Sequence, residues 1–317
     1  NWGPSFDEGG PAGWGKQSQI NGAVSGQPGF LKHPYNSNLN ARFLSRDLLP
    51  LLGLSMDSLW EWKPYDSTGD LFQPGSIVNT NINFRGSSDD GKVSYNVNYG
   101  NLDDEGFTPG NRVGRTTLSL GGRAKLSNKF TVSGSMNYSQ NKVVSPPVAA
   151  SRGNGTLGWS TFGNVFFTPR NVDLMGLPFE LPENGGSIYY RNGNDIINPL
   201  WSIKNAQNGQ VTNRVFTSAT LSYEINENLG VSYRAGIDFY NERNKAYSNK
   251  NGVNFNNAIF GFLDTYDNNV SIFDHYLAFN GSYDLSEDFS LSFVAGGTSR
   301  SRTFDQQGVS STGQIVF

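Results

Sequence analysis

The stretch from Leu71 to Tyr138 restricts the possible folds more than any other part of the chain, because it sorts into two faces when read in steps of two. Val93, Tyr95, Val97 and Tyr99 fall on one side, and Ser94, Asn96 and Asn98 on the other. Leu118, Leu120, Ala124 and Leu126 oppose Thr117, Ser119, Arg123 and Lys125. After a Ser-Asn-Lys turn, Phe130, Val132, Met136 and Tyr138 oppose Thr131, Ser133, Ser135 and Asn137. Successive side chains of a β-strand point to opposite faces, so this period predicts strands with one apolar and one polar side. The runs reach about ten residues, which suits a tilted strand crossing a bilayer better than a strand of a soluble sandwich. The expected fold class is all-β, an antiparallel transmembrane β-barrel.

Composition agrees with that choice and narrows the chemistry. Hydrophobic residues are 36% of the 317 and the mean hydropathy is −0.47, with no apolar run near the roughly 20 residues of a membrane helix. A barrel escapes this test, because only alternate residues of its strands face lipid. The 38 glycines and 13% aromatics fit many tight turns and interfacial girdles. A net charge of −3 gives no basic field, so no nucleic-acid partner is expected. With no cysteine, disulfides, thiolate metal sites and cysteine nucleophiles are excluded together. The chain opens on Asn1-Trp2-Gly3 without a signal peptide, which favours a piece of something longer.

Residues 1–75 read as a loop-rich segment leading into the barrel. A run from Ala41 to Leu54 has helical spacing up to Pro50 and predicts one short helix. Residues 76–317 read as barrel, with about eight strands at 76–86, 92–102, 112–126, 130–140, 211–225, 229–243, 271–285 and 289–303. Three connections are almost the same sentence, KLSNKF, EINENL and DLSEDF, each a compact polar hairpin turn between apolar residues. Long loops are expected at 141–210 and 244–270. Short turns alternating with long loops are the pattern of outer-membrane barrels, short on the periplasmic side and long outside the cell.

Motifs with other chemistry have plainer readings. Gly153-Asn154-Gly155-Thr156-Leu157-Gly158 matches GxGxxG, with Asp173 downstream, but lacks the strand before and the helix after that a dinucleotide site requires. Ser88-Asp89-Asp90-Gly91 and Asp103-Asp104-Glu105 could offer oxygen ligands to calcium, yet neither has the alternating spacing of an EF-hand, and both read as solvated turns. His33 and His275 are the imidazoles available, and no strained nucleophile motif accompanies them. No catalytic residue, cofactor or metal is expected, and the protein is not read as an enzyme. All six tryptophans, at 2, 14, 60, 62, 159 and 201, lie outside the expected strands. They read either as aromatic platforms for a sugar or a protein partner, or as packing that folds the large loops. Arg123, Lys125, Glu224, Arg234 and Asp238 on the polar strand faces would line a lumen or cover a soluble sheet.

Several segments, taken in order, resemble the SusC/RagA family of TonB-dependent outer-membrane transporters. Asn1-Trp2-Gly3-Pro4-Ser5-Phe6-Asp7-Glu8-Gly9 is similar to the family's SWGP-x-x-(D)G segment, and Asp70-Leu71-Phe72-Gln73-Pro74-Gly75 approximates its DFF-x-x-G element. Val93 to Tyr99 resembles its sy-x-l-s-y strand. Asp103-Asp104-Glu105-Gly106-Phe107-Thr108-Pro109-Gly110-Asn111 resembles its d-x-x-G-x-x-P-n-s loop, and Arg112 or Arg115 opens the next strand as in the family. Asn198-Pro199-Leu200-Trp201 looks like its NP-x-w motif. The resemblance implies a partial barrel from a wall of about twenty-two strands with a plugged lumen. Family members are several times longer than this chain, and their plug domain and TonB-contacting segment precede the SWGP region, so both are absent here. It further implies uptake of oligosaccharides or peptides across the outer membrane of a Gram-negative, Bacteroidetes-type bacterium. A SusD-like surface lipoprotein would act as lid and the TonB complex would supply energy through the missing N-terminal region. Trp159, Tyr189, Tyr190 and Trp201 in the long loop are the candidate ligand-binding or lid contacts, although the family motifs do not single them out. Two other readings remain: a small closed barrel with a structural, anchoring or passive-pore role, in which strand 289–303 pairs with strand 76–86, and a soluble sugar-binding β-sandwich.

Overall fold

The computed structural model describes residues 29–35, 39–40, 43–44, 49–61, 63–147, 160–190, 197–252 and 259–313. Eight strands follow one another in a single antiparallel sheet: β1 (Ser76–Ser87), β2 (Val93–Glu105), β3 (Arg112–Lys125), β4 (Phe130–Ser145), β5 (Ala206–Asn226), β6 (Leu229–Ser248), β7 (Phe262–Ser286) and β8 (Phe289–Thr312). Each pairs with its neighbours in sequence, so the sheet is a plain up-and-down meander. Its edges, β1 and β8, are not paired with each other, and the sheet is open. The pairing of 289–303 with 76–86 that a small closed barrel requires is not what the structure shows.

The strands run farther than alternation alone predicts. β4 continues to Ser145, β5 begins at Ala206, β6 reaches Ser248 and β7 begins at Phe262. The long connections therefore shrink to 146–205 and 249–261. Two of the added segments lack the apolar/polar alternation: Gln207 to Gln210 carries no large apolar side chain and Asp264 to Asn269 only Tyr266, as expected where both sides of a strand meet water. At the opposite end the turns are short. Glu227-Asn228 and Glu287-Asp288 close two-residue hairpins, each beside a register shift at Leu229/Gly230 or Asp284/Ser286.

Register aligns the strand faces into transverse rows. One row of the apolar face reads Phe84, Val97, Leu120, Met136, Thr217, Ile237, Phe273 and Ser301 from β1 to β8. Its large side chains stand uncovered, Phe84 at 65% and Phe273 at 45% exposure. On β5 the apolar face runs from Val215 to Ile225, about 25 Å of height for a strand tilted by about 40°, which matches the lipid-facing band of a barrel. The band ends sharply at a polar row, Thr80, Asn101, Thr116, Gln140, Asn213, Asn241, Asn269 and Asp305. Its rungs are bonded to one another: Asn101 Nδ2 donates to Thr116 Oγ1 at 3.2 Å, Gln140 Nε2 to Asn213 Oδ1 at 2.9 Å, and Asn241 Nδ2 to Asn269 Oδ1 at 2.8 Å.

The clustered buried core lies at the loop-bearing end of the sheet, and Val270, Ile272 and Ala278 of β7 are buried on the sheet itself. Tyr35, Leu49, Val172, Leu177, Leu181 and Ile188 form one cluster, and Leu71, Val165, Leu174 and Tyr189 another. These join the segment before β1 to the loop between β4 and β5. The same two segments are tied by polar bonds: Tyr35 Oη donates to the Pro178 carbonyl at 2.6 Å, Trp60 Nε1 to that of Asn171 at 2.8 Å, and the Tyr65 amide to that of Arg170 at 2.7 Å. Of the short helix expected within 41–54, Leu49–Leu51 are helical, and residues 41–42 and 45–48 lie outside the described residues. Phe43–Leu44 is a short strand paired with Leu39–Asn40, and described helical residues begin only at Leu49.

Candidate functional site

Three short helices shape the loop-bearing end. α1 (Ser67–Leu71) starts at Asp66, whose carboxylate accepts from the Gly69 amide at 3.0 Å. α2 (Thr161–Phe166) starts at Ser160, whose hydroxyl accepts from the Gly163 amide at 2.9 Å. α3 (Pro199–Asn205) starts at Asn198, whose Oδ1 accepts from the Leu200 amide at 2.9 Å, with proline in the first turn. Side-chain oxygens at these positions satisfy amides the helix leaves free, which explains Asp, Ser and Asn there.

Among the expected contact residues, Trp201 is fully buried, with its indole N–H donating to the Gly185 carbonyl at 2.7 Å and Ile197, Phe179 and Phe262 around it. Tyr189 is buried as well; its hydroxyl lies 2.6 Å from Thr168 Oγ1 and 3.1 Å from the Asn164 carbonyl. Tyr190 stacks edge-on against Tyr189 at 4.6 Å and is half-buried, so it keeps some surface. Trp159 lies outside the described residues, as do Trp2, Trp14, Trp62 and the Gly153–Gly158 motif. Trp201 and Tyr189 thus hold the loop unit together from within, and Tyr190 is the described candidate that presents surface.

A second aromatic group was not anticipated. Phe72, just after α1, meets Phe107 of the β2–β3 turn at 5.4 Å and Phe162 of α2 at 5.7 Å, while Phe107 and Phe162 stack at 6.0 Å. Phe107, Phe166 and Phe167 remain exposed, making an apolar patch at the rim. The one-turn spacing of Phe162 and Phe166 was the signal for it.

The polar strand faces carry a network suited to a lumen. Arg214 makes a two-pronged bond to Asp238, at 2.8 and 2.6 Å, and Arg300 lies 3.5 Å from Asp274. Arg234 covers the Tyr276 ring at 5.4 Å. Arg123, Lys125, Glu224, Arg234 and Asp238 all share this face.

The other singled-out groups are structural. Asp90 accepts from Ser88 Oγ at 2.6 Å and from the Lys92 amide at 3.1 Å, with Gly91 at φ 67° closing the turn; these bonds hold its carboxyl down at about 2. Asp103 is paired to Arg112, Nε to Oδ1 at 2.7 Å. Asp173 caps a turn through the Gly176 amide at 2.8 Å. Among the described residues no His/Asp/Glu cluster could hold a metal ion. His33 is buried between Trp60 and Tyr35, and His275 Nδ1 lies 2.7 Å from the Tyr233 hydroxyl on the outward face.

No protein-family model and no curated protein matches the chain. Solved structures do. The RagAB peptide importer in its 'closed-closed' state superposes with a TM-score of 0.65 at 17% identity, covering 80% of this chain and 27% of that one. The 'open-open' state of the same importer gives 0.64 at 18% identity with the same coverage. The fold is that of a partial SusC/RagA-type barrel. The chain spans 27% of the length of the importer chain it matches.

In this SusC/RagA-type sheet two of the segments that carried the sequence resemblance meet in space, and Asn1–Gly9 lies outside the described residues. The Gln73 amide donates to the Phe107 carbonyl at 2.9 Å, joining the Asp70–Gly75 element to the Asp103–Asn111 loop. Gly75 is required there: a Cβ would sit 2.9 Å from the Glu105 carbonyl oxygen. Asn198 both caps α3 and donates from Nδ2 to the Ile188 carbonyl at 3.1 Å, next to buried Trp201. The described motifs build the loop unit.

Proposed function

We propose that the chain is a wall segment, with its packed extracellular loops, of a TonB-dependent SusC-like importer in the outer membrane. The observation that carries this reading is the combination of an open, lipid-banded meander with a folded loop unit at one end, matched by the RagAB peptide importer over 80% of the chain. Uncovered edges on β1 and β8 suit continuation of the sheet by further strands. Peptides are favoured over oligosaccharides as cargo, because the matched solved structures are of a peptide importer. A SusD-like lipoprotein is the lid that would rest on the loop unit, and the TonB complex would supply energy to the full-length protein. Catalysis plays no part: binding at the rim and lumen is followed by passage through the barrel.

Tyr190 and Trp159, with the Phe107–Phe166–Phe167 patch, are the contacts we assign to cargo or lid, and Trp201 packs the interior of the loop unit that presents Tyr190. In the full-length transporter, uptake of oligopeptides should require an energised cell. Tyr190→Ala with Trp159→Ala should weaken peptide or lid binding roughly tenfold, the scale expected of aromatic contact residues. Unchanged affinity removes these two residues from the site. Energy-independent uptake, or transport of oligosaccharides alone, overturns the TonB or the peptide assignment respectively.

A further inference from the structure

The outward face changes character one row beyond the polar row that ends the apolar band. Lys142 of β4, Val211 of β5 and Arg243 of β6 lie abreast there, and Lys245 follows two residues farther along β6 opposite Gly209. Lys142 and Arg243 are two strand spacings apart, about 10 Å, so their long side chains can converge over the small residues of β5. Arg243 is 3.5 Å from Asp267, and Lys245 leans over the Tyr247 ring at 4.7 Å. Lys142 makes no ion pair among the described residues. All three cations are exposed.

Beside them, β2 to β4 form a groove of about 650 Å³ whose floor is Gly114 and whose wall includes Lys142. Nothing stands within 4 Å of the space a Cβ at Gly114 would occupy. Asn101, Thr116 and Gln140 offer hydroxyl and amide groups at its lower rim. Asp103 and Glu105 also line it, with Arg112 bonded to Asp103 and abreast of Glu105, so that Lys142, Arg243, Lys245 and Arg112 against Asp103, Glu105 and Asp267 leave one net positive charge on this part of the outward face.

We propose that Lys142, Arg243 and Lys245, with the adjoining Gly114 groove, bind the phosphorylated headgroup of an outer-leaflet lipid whose acyl chains lie along the apolar band below. Position decides in favour of a lipid over a soluble anion. The cations face outward, away from the lumen, and the nearest residues toward the band's centre, past Gln140 and Asn213, are Tyr138, Val215 and Phe239. A phosphate at that height meets charge while its tails meet hydrocarbon, and basic side chains near a charged membrane surface attract anionic lipid. The inference rests on the outer-membrane reading, which membrane fractionation tests separately.

The experiment uses the full-length protein, extracted from its outer membrane in mild detergent, and measures co-purified lipid by mass spectrometry. Lys142→Gln, Arg243→Gln and Lys245→Gln combined should lower bound phosphorylated lipid by about tenfold or more. Lys92→Gln, at the short-turn end, should leave it unchanged. The single variant Lys142→Gln, should the triple variant fail to fold, should show a partial loss. After delipidation, a phosphorylated glycolipid should rebind to wild type, its dephosphorylated counterpart should bind about tenfold more weakly, and inorganic phosphate should not displace it. Equal lipid retention in wild type and variants overturns the site, as does equal binding of the dephosphorylated lipid. Displacement by inorganic phosphate at comparable concentration reassigns the cations to a soluble anion and overturns the lipid.

Discussion

At the scale of single residues, the side chains most tightly specified are those that give the loop unit its shape. Asn198, Trp201, Tyr189 and Tyr35 each spend their polar atoms on backbone carbonyls or amides that burial would otherwise leave unsatisfied. His33 belongs with them and makes the unit sensitive to pH. Its Nδ1 accepts from the Tyr35 amide at 3.2 Å, so a neutral ring is needed, and burial pushes its pKa from 6.5 down to about 4. The unfolded segment therefore binds the proton first. Stability is full above about pH 6.5, falls as pH drops through 6.5, and levels off below about 4, a total of about 1 to 3 kcal/mol. Protease cleavage within 29–75 and 160–190 of the full-length protein should accelerate between pH 7 and pH 4.5, while His33→Asn, which keeps an acceptor but cannot titrate there, should flatten the response. Equal resistance of the wild type at both values would refute the role of His33.

At the scale of elements, strand faces were legible wherever one side is apolar and the other polar, the pattern that the proposed lipid and water on the two sides require. Val93 to Tyr99 and Phe130 to Tyr138 alternate because each side has a different solvent, and the structure places those residues as the alternation predicts. Gln207 to Gln210 and Asp264 to Asn269 were not legible as strand, because water on both sides removes the pattern while backbone pairing goes on. The loop unit was legible only as a set of motifs. That Trp201 packs inward while Phe107 and Phe166 stay exposed depends on contacts between segments far apart in sequence, which no local period encodes. The two-solvent argument makes a sharp comparison on β5. Leu221, 40% exposed on the apolar face, lies in a row with Val132, Tyr233 and Leu277; its neighbour Ser222 faces the other way, opposite Thr131 and Ser232. Leu221→Lys should destabilise the folded barrel by about 2–4 kcal/mol in urea unfolding from vesicles, and Ser222→Lys by far less. Similar losses for both would mean that the apolar face does not meet lipid.

At the scale of the whole molecule, the sheet asks for more protein than these strands provide. β8 is 24 residues long and exposed along almost its entire length on both sides, whereas β1 has 12 residues, and among the described strands each of the two pairs with a single neighbour. A long bare edge is a template for pairing, and membrane interiors admit no unpaired backbone, so a spanning sheet must close. β1 and β8 do not close on each other, and matched importer chains use a sheet of this kind as about a quarter of their length. The expectation is that the protein extracted under denaturing conditions from its own outer membrane is several-fold heavier than the 34.7 kDa of this sequence. In the native protein, amides along the outer edge of β8 should then exchange with deuterium as slowly as those of β6, because a further strand covers them. A mass near 34.7 kDa with slow exchange at β8 would instead mean that β1 and β8 meet in the membrane, and the small closed barrel, without a transporter's lumen, would replace the importer. A mass near 34.7 kDa with fast exchange at β8 would remove the membrane-spanning reading itself, since an edge open to water cannot lie in hydrocarbon.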